Sequence, residues 1–439
     1  MTPAAKKTLL VISQTFVPDP AAVGQCMADV AAEMGRRGHR VLVYASERGY
    51  ENPDVRYPRH EFLEHGVEVR RFGHASFGKK NLLLRIVGTL SFMTQAAYVC
   101  LTSRDVGGIF FSTSPPLVGV VCSIAGWLRR VPVAYWAMDL NPDQLIALGK
   151  LSPRSPIAWV LERGNRLILR RSALVVALDR FMADRLLARQ PALQQRLEVL
   201  PPWAHEAHLE PLSQDQNPFR AQHGLGPESF VIMYSGNHSP SNPLRTLLDA
   251  ALRFRDHPRL RFLFIGGGLG KKEVEQFARD HALCSVVSLP YQPLADLRYS
   301  LSAADVHVVS LGNEMVGIVH PCKIYGAMTV AKPILFFGPR PSHVSDILEE
   351  VSIGRHVGHG DVDAAVAAIQ SFLDAPAEEL RRMGEAARGM LTQRFTQAYL
   401  CGRFCDALER ALGMSPAPQA EPLTTRSTDE TSRPATAGP

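Results

Sequence analysis

The chain has 439 residues, of which 46% are hydrophobic, and this length and composition predict two domains that each bury a core. Its formal net charge is +6 and the basic residues are spread along the chain, so a nucleic-acid partner is not expected, whereas an anionic substrate or an acidic membrane surface suits the charge. The seven cysteines are odd in number and include no CxxC pair, which argues against a disulfide framework and a zinc site and favours a reducing compartment.

The first apolar run, TLLVIS, follows Lys6 and Lys7 and superficially mimics a secretion signal. The run is too short for one, and VPDP follows where a cleavage site would lie. We therefore expect a cytoplasmic protein.

Apolar strand patterns alternate with helical patterns in both halves of the chain. Helices are predicted over residues 24–39, ending at Gly38, over residues 242–257, and from about Lys271 onward. The predicted strands are residues 8–13, 40–46, 108–114, 132–138, 173–179, 230–236, 261–268, 286–290, 305–311 and 334–337. This alternation indicates βαβ units and an α/β fold of two Rossmann-like, doubly wound parallel-sheet domains that face a cleft. Ligands are expected beyond the carboxyl ends of the strands.

The pattern breaks near residues 200–219, so we expect a first domain over 1–205 and a second over 206–395. Residues 396–412 form a helix with one apolar stripe, made of Leu400, Phe404, Leu408 and Leu412. Residues 413–439 are rich in proline and small polar residues, which predicts a disordered tail.

Residues 79–103 are mainly apolar after a basic start. Arg85 and Gln95 make a membrane-spanning helix an unfavourable interpretation. Two interpretations remain open, an interfacial helix that dips into the headgroup region and a buried crossover helix of the first domain.

Two glycine-containing loops follow strands of the second domain. Residues 265–277, IGGGLGKKEVEQF, match neither a Walker loop nor a dinucleotide fingerprint, and a tight strand-to-helix turn explains them equally well. Residues 234–244, YSGNHSPSNPL, place short polar side chains after Gly236, with Pro243 expected at the start of the next helix. His238 in this loop is either a surface group or a site residue.

Residues 314–333, EMVGIVHPCKIYGAMTVAKP, separate two buried strands. Pro321 is expected to start a helix whose first turn contains Lys323. A cation opposes the helix dipole there, which is understandable if an anion lies in front of it; a solvated lysine is the alternative.

These segments together resemble a family-4 glycosyltransferase of the GT-B fold, over nearly all of residues 8–412. The segments that carry the resemblance are RRGHRVLVYAS (36–46), FSTSPPLVGVV (111–121), DLNPD (139–143), LPPWA (200–204) and PCKIYGAMTVAKPI (321–334). They resemble the branch that builds bacterial surface polysaccharides such as exopolysaccharide, O-antigen and colanic acid. The terminal leucine stripe is similar to the family's helix that crosses back to the first domain.

The resemblance has departures in the donor site. The ribose-binding glutamate of the family falls on Gly326, and its first glutamate would fall near Ile318, downstream of Glu314. Asn237 and Asn242 stand where the family often has arginine and lysine.

The resemblance implies a retaining hexosyltransferase-type reaction in which a nucleotide-diphosphate sugar is the donor and no metal or other cofactor is bound. The implied acceptor is a saccharide or a polyprenyl-diphosphate-linked glycan, with peripheral contact at the cytoplasmic face of the inner membrane. Lys323 and residues 236–238 are assigned to the diphosphate, Glu314 and Gly317 to the donor sugar, and Asp139 to the acceptor side, with a simple cap or loop carboxylate as its alternative role. The full set of expected donor-binding residues is Gly236, Asn237, His238, Gly266, Gly268, Gly317, Pro321 and Gly326, and Gly24, Gln25 and Asp139 are expected on the acceptor side.

Two other functions remain open because of the missing glutamate at Gly326. One is a non-catalytic nucleotide-sugar-binding partner subunit, and the other is a sugar-nucleotide epimerase on the same scaffold. An oxidoreductase is disfavoured because neither glycine loop has the dinucleotide spacing.

Overall fold

The computed structural model describes residues 7–19, 21–49, 53–74, 82–204 and 209–415. The predicted boundary at residues 205 and 206 lies outside these ranges, as does most of the predicted tail. The first three residues of that tail, 413–415, are described, and Met414 among them is buried.

The first sheet has eight strands within the described residues. They are β1 (Thr8–Ile12), β2 (Arg40–Ser46), β3 (His60–Phe62), β4 (Glu68–Phe72), β5 (Val106–Ser112), β6 (Val133–Trp136), β7 (Leu174–Ala177) and β8 (Leu197–Val199). Their order is β3-β4-β2-β1-β5-β6-β7-β8, and β3 pairs antiparallel with β4 while the other pairs are parallel. The helices between them are α1 (Ala22–Arg36), α2 (Leu82–Thr102), α3 (Val118–Arg129), α4 (Asp143–Ala147), α5 (Pro156–Arg171) and α6 (Arg180–Arg189).

The second sheet has six parallel strands in the order β11-β10-β9-β12-β13-β14. They are β9 (Phe230–Ser235), β10 (Leu260–Ile265), β11 (Val286–Leu289), β12 (Val306–Ser310), β13 (Ile334–Phe337) and β14 (Gly354–Val357). Its helices are α7 (Pro218–Gln222), α8 (Arg245–Arg253), α9 (Lys271–Asp280), α10 (Leu297–Ser302), α11 (Lys323–Thr329), α12 (His343–Glu350), α13 (Val362–Asp374) and α14 (Ala377–Arg394). In both sheets the chain reverses its direction of winding beside the first strand, at β1/β5 and at β9/β12, and this is where open α/β sheets bind ligands.

The predicted strands are found at their expected places because both sheets are covered on both faces, so most of their strands are continuous apolar runs. β4 was not predicted, because its sequence EVRRF contains two arginines. Arg71 in that strand is buried, and its guanidinium donates to the carbonyl oxygens of Pro58 and Val17, both at 2.7 Å. An arginine whose two terminal nitrogens both donate to carbonyl oxygens is tolerated inside the domain, and it hides the strand from a hydrophobicity pattern.

The C-terminal helix α15 (Gln397–Leu412) crosses back to the first domain, as expected. Its predicted stripe is buried, and the Phe404 ring lies 4.3 Å from the Trp136 ring on β6. Leu412 covers Gly108 on β5, where a Cβ atom would lie 2.6 Å from Leu412 Cδ1. The Thr396 hydroxyl caps the start of α15 by accepting from the Tyr399 N–H.

Helix α2 combines the two interpretations that the sequence left open. Residues 84–102 are the one helical segment among the described residues that is long and apolar enough to cross a membrane. However, Phe92, Ala96 and Cys100 form a stripe that is buried in the core of the first domain. The helix is therefore a crossover helix with one face in the core and the opposite face on the surface.

Candidate functional site

The carboxyl ends of β9, β10 and β12 meet at the winding switch of the second sheet, and three loops leave from them. Gly236 follows β9 and Gly266 follows β10, with φ of 128° and 134°. A Cβ atom on Gly266 would lie 2.0 Å from the Gly236 carbonyl oxygen, and one on Gly268 would lie 2.3 Å from Asn237 Oδ1. Glycine is required at these positions because the two loops touch through their backbones. The tight-turn interpretation of residues 265–277 therefore describes their geometry, and it brings both predicted glycine loops to one edge.

Lys323 projects into the same place from the start of α11. Its side chain is half-buried, and its Nζ atom lies 5.3 Å from the centre of the Tyr234 ring. In the orientation of the Asn242 amide that satisfies all its neighbours, the amide nitrogen donates to Ser310 O at 2.9 Å and the amide oxygen accepts from Lys323 Nζ at 3.2 Å. No carboxylate within the described residues forms an ion pair with Lys323.

Burial lowers the pKa of Lys323 to about 8, since the desolvated ammonium group is less stable than in water. The group is still mainly charged at pH 7. An unpaired, partly desolvated cation beside two glycine loops is equipped to bind an anion, so the solvated-lysine alternative does not describe this side chain.

His238 is buried rather than exposed, so its interpretation as a surface group is wrong. Burial lowers its pKa to about 4, and the imidazole is therefore neutral at pH 7. Its Nδ1 lies 3.1 Å from Gly236 O, a carbonyl that can only accept, so Nδ1 carries the proton. Nε2 is buried and has no hydrogen-bond partner among the described residues. His238 therefore holds the loop together by its backbone and Nδ1, and it presents Nε2 as an acceptor.

The loop between β12 and α11 arranges the remaining predicted donor residues. Glu314 is exposed in a short turn of 3-10 helix, Asn313–Met315. Gly317 has φ of 68° and lies against the first domain, where a Cβ atom would be 2.5 Å from Phe181 O. Pro321 was expected to be the first helical residue, which is wrong, because α11 begins at Lys323 with Cys322 as its N-cap residue. Pro243 likewise precedes α8, which begins at Arg245.

Asp139 lies beyond the carboxyl end of β6 in the first domain. It lines a small pocket of about 20 Å³ whose other lining residues include Ser112, Thr113, Leu117, Asn141 and Asn165. Burial raises the pKa of Asp139 to about 6. Its carboxylate accepts no hydrogen bond from the described residues and caps no helix there, so the cap alternative has no support.

The other two residues expected on the acceptor side do not line this pocket. Gly24 is buried in α1, where a Cβ atom would lie 3.0 Å from the backbone nitrogen of Phe16. Gln25 is half-buried on the same helix, which follows the carboxyl end of β1. Gly24 thus allows α1 to pack on the loop after β1, and the structure does not bring either residue into the Asp139 pocket.

The loops of the two domains contact each other beside these sites. The Leu140 N–H donates to Ile318 O at 3.0 Å, and the Gln144 amide lies 3.4 Å from the Ser241 hydroxyl. Leu140 follows Asp139, and Ile318 lies in the loop that leads to Lys323. The Asp139 loop and the Lys323 loop are therefore joined across the domain interface.

A buried hydrogen-bond network also joins the domains. His320 Nδ1 lies 2.8 Å from Asp179 Oδ2, its Nε2 lies 2.8 Å from the Tyr325 hydroxyl, and that hydroxyl lies 3.2 Å from His343 Nε2. Burial raises the pKa of Asp179, but the hydrogen bond and charge of His320 outweigh it and keep the pKa below its usual value. Burial lowers the pKa of His343 to about 3.

Among the described residues, Asp179, His320 and His343 are also the group whose potential metal-ligating atoms come together, within 4.8 Å of one another. Asp179 Oδ1 additionally accepts from the Met182 N–H at the start of α6. Asp179 and His320 are hydrogen-bonded to each other, and His320 and His343 both contact the Tyr325 hydroxyl, so the cluster functions in this structure as a hydrogen-bond network between the domains.

Two family models match the chain, one to each domain. The model described as "Glycosyl transferase 4-like domain" matches residues 21–203, and the model described as "Glycosyl transferases group 1" matches residues 215–390. The chain is a family-4 glycosyltransferase of the GT-B type.

Curated relatives and solved structures agree with this assignment. WbjE of Pseudomonas aeruginosa, named as a glycosyltransferase, is 23% identical to this glycosyltransferase over 411 residues, which cover 93% of this chain and 99% of WbjE. WcaI of Escherichia coli (strain K12), named as a colanic acid biosynthesis glycosyl transferase, is 22% identical over 388 residues, covering 84% and 92%. Sucrose-phosphate synthase from Thermosynechococcus elongatus is similar with a TM-score of 0.72, 16% identity and coverage of 93% and 100%. HepE of Anabaena, in complex with UDP and glucose, has a TM-score of 0.68, 19% identity and coverage of 92% and 100%.

Gly326 is the departure from the family pattern that bears most on this glycosyltransferase. It lies within α11, where a Cβ atom would meet only Leu301 Cδ1, at 3.9 Å. The backbone therefore has room for a side chain at this position, and packing does not force the absence of a glutamate.

Sequence reasoning missed the domain-joining residues of this glycosyltransferase. Asp179 is the last residue of a predicted strand and His320 directly precedes Pro321, so both stood at strand or helix ends where site residues concentrate. His343 had no comparable signal, because its contact with Tyr325 depends on how α12 packs beside α11.

Proposed function

We propose that this glycosyltransferase moves a sugar from a nucleotide-diphosphate sugar to a lipid-linked glycan acceptor in polysaccharide synthesis, with retention of configuration at the sugar. The observation that carries the proposal is the unpaired Lys323 cation beside the Gly236 and Gly266 loops, joined to the Asp139 loop of the other domain. The structural neighbour HepE is in complex with UDP and glucose, and a ligand of that kind fits such a site.

Lys323 would hold the diphosphate. When the bond between the sugar and the diphosphate breaks, negative charge grows on the leaving phosphate oxygen. A cation that is already fixed in place stabilises this charge without reorganisation, and groups of this kind typically contribute about a hundredfold or more to the rate. The polar loop after Gly236 would supply further hydrogen bonds to the same phosphates. The Pro321 carbonyl oxygen accepts from the Ile324 N–H in the first turn of the helix that carries Lys323.

Glu314 and the backbone at Gly317 would hold the donor sugar. The Glu314 carboxylate is exposed on the loop that leaves β12, so it is accessible to sugar hydroxyl groups. The ribose has no assigned contact, because Gly326 offers no side chain.

Asp139 would act on the acceptor. Because its pKa is about 6, the carboxylate is mainly ionised at pH 7 and yet more basic than an ordinary aspartate. It can therefore accept a hydrogen bond, or a proton, from an acceptor hydroxyl that enters the pocket beside it.

We further propose that the reaction needs no bound metal, since Lys323 supplies the positive charge at the diphosphate. Turnover that survives dialysis against EDTA would support this, and turnover that is lost and restored by Mg²⁺ would oppose it.

We infer a lipid-linked acceptor at the cytoplasmic face of the inner membrane from two observations. The relative WcaI is named for the biosynthesis of colanic acid, a surface polysaccharide, and α2 leaves a broad apolar face exposed.

The test is product analysis with a panel of UDP-, GDP-, ADP- and dTDP-sugars, chosen first by the thermal shift that each causes. Nucleotide release that depends on an added lipid-linked acceptor supports glycosyl transfer. Epimerised sugar nucleotide formed without an acceptor would indicate an epimerase, and binding without any reaction would indicate a non-catalytic binding subunit. Proton NMR of the anomeric signal distinguishes retention from inversion.

A further inference from the structure

Three helices of the first domain form one layer on the same face of its sheet. α3 packs between α2 and α5. Arg129 at the end of α3 donates to the Cys100 and Ser103 carbonyl oxygens at the end of α2, both at 2.6 Å. The layer is therefore a continuous surface rather than three separate helices.

The outer side of this layer is unusually apolar. Of the nineteen large hydrophobic residues that are exposed among the described residues, twelve lie on these three helices. They are Leu84, Ile86, Val87, Leu90, Tyr98 and Leu101 on α2, Ile124, Trp127 and Leu128 on α3, and Ile157, Trp159 and Val160 on α5. Single exposed apolar side chains are ordinary on a protein surface. A concentration of this kind marks a surface that binds a protein partner or a membrane.

The charge of the same helices is almost entirely positive. α2, α3 and α5 contain six arginines, Arg85, Arg129, Arg163, Arg166, Arg170 and Arg171, and their one carboxylate is Glu162. Glu162 accepts from Arg166 at 3.0 Å. The three helices thus carry a formal charge of +5, whereas the whole chain carries +6.

The aromatic and basic side chains are paired on this surface. The Arg171 guanidinium lies 4.9 Å from the centre of the Trp127 ring and so links α5 to α3, and the Arg163 guanidinium lies 5.2 Å from the Trp159 ring. Trp127 and Trp159 are 57% and 62% exposed, while the other two tryptophans of the chain are buried. A tryptophan with an arginine beside it suits the boundary between the headgroups and the acyl chains of a bilayer. There the ring contacts acyl chains and the guanidinium binds lipid phosphate groups.

We propose that the outer surface of α2, α3 and α5 docks on an anionic lipid bilayer, with its apolar side chains among the acyl-chain ends and its arginines on the lipid phosphates. The occupant is a bilayer rather than a second copy of this chain, because two copies would bring two surfaces of charge +5 together without compensating carboxylates. The core stripe of α2 limits the docking to the membrane surface.

The role that we assign to this docking, the delivery of a lipid-linked acceptor, rests on the proposed function. The Asp139 pocket is lined by Leu117 and Gly119 from the start of α3 and by Leu161, Asn165 and Ile168 from α5. The helices that dock on the lipid are therefore the ones that shape the pocket assigned to the acceptor, so a lipid-linked acceptor would reach Asp139 from the docked side.

The experiment is co-sedimentation of the full chain with vesicles of phosphatidylcholine alone and of an equimolar mixture with phosphatidylglycerol. We expect binding to the anionic vesicles that weakens as salt increases. The triple variant Trp127→Gln, Ile157→Gln, Trp159→Gln is expected to bind at least about tenfold more weakly, and each of Arg163→Gln and Arg170→Gln about fivefold more weakly at low salt. A control variant with Val199→Gln and Tyr399→Gln, two exposed residues outside the layer, is expected to bind like the wild type.

Three results would overturn the docking surface. These are no association of the wild type with anionic vesicles at low salt, an equal loss in the control variant, and a wild-type dimer that the triple variant dissociates in sedimentation-velocity runs. A cooperative thermal unfolding transition, measured in parallel, shows whether each variant is folded, and the shift of its midpoint with a nucleotide sugar reports donor binding. Vesicle binding without any nucleotide-sugar binding would leave the docking surface standing while the proposed function fails.

Discussion

The side chain of Lys323 passes directly over Gly236, so that a Cβ atom on Gly236 would lie 2.7 Å from Lys323 Cε. The glycine of one loop therefore creates the space that the cation of another loop uses. The Gly236 loop and the Lys323 segment of the second domain therefore form one site.

Gly236→Ala is expected to weaken nucleotide-sugar binding by about tenfold or more, because the new methyl group displaces the Lys323 side chain. It also strains a backbone with φ of 128°. Gly224→Ala is the matched control, since Gly224 has φ of 65° but nothing within 4 Å of its Cβ position. Isothermal titration should show weaker binding in the first variant only. Equal affinity in the two variants would mean that Lys323 does not need the space over Gly236.

The pH dependence of donor binding follows from the pKa of Lys323, which burial lowers to about 8. A bound diphosphate favours the charged ammonium and raises this pKa, so binding above pH 8 requires the uptake of a proton. We expect the dissociation constant to rise by up to about tenfold per pH unit above pH 8. Titrations at pH 8.5 in two buffers of different ionisation heat measure the proton uptake. Lys323→Arg should abolish it, because arginine stays protonated throughout this range.

Asp139→Asn is expected to raise stability while lowering turnover. Burial raises the pKa of Asp139 to about 6, so between about pH 4 and pH 6 the folded state holds a proton that the unfolded state has released, and stability falls as the pH rises through this window. At pH 7 the ionised carboxylate then costs up to about 3 kcal/mol, which a neutral amide of the same shape removes. Urea unfolding at pH 7 measures the gain, and acceptor-dependent nucleotide release measures the loss. Unchanged turnover would remove Asp139 from the acceptor step.

The Asp179–His320 contact is expected to hold the two domains together. Asp179→Asn keeps an acceptor for the Met182 N–H but removes the charge that faces His320, so we expect a loss of about 1–3 kcal/mol in the free energy of unfolding. Arg180→Gln is the control. It removes the neighbouring Arg180–Asp346 ion pair, whose arginine side chain is 59% exposed, and it should cost less than about 1 kcal/mol. If the two variants lose the same stability, the buried network contributes no more than a surface ion pair.

Much of this fold can be read from the sequence, because parallel sheets that are covered on both faces require continuous apolar runs. The β9 and β12 runs and the stripe of α15 are examples of signals that depend on local periodicity alone. The hydrophobicity pattern did not predict β4 or the antiparallel β3. Polar side chains that form hydrogen bonds inside the fold, such as Arg71, cannot be distinguished from surface residues by such a pattern.

The sequence predicts a site residue only where a residue of suitable chemistry stands at the end of a strand or the start of a helix. Gly236 ends a predicted strand, Asp139 follows one, and Lys323 lies in the first turn of a predicted helix, so the rule for ligand positions in α/β sheets applies to all three. The contacts of Asp179 with His320, and of Gly317 with Phe181, depend on how one domain packs against the other. No local pattern contains that information. Whether a histidine such as His238 is buried also depends on the neighbouring loop, which is why the sequence left its role open between a surface group and a site residue.

The proposal that Lys323 binds the diphosphate of a sugar nucleotide is tested by the turnover number of Lys323→Ala. This value is measured with the preferred donor and acceptor. Lys272→Ala, a change at an exposed lysine on α9, is the control and should behave like the wild type. We expect Lys323→Ala to lower kcat by about a hundredfold or more. A kcat within about threefold of the wild-type value would contradict it.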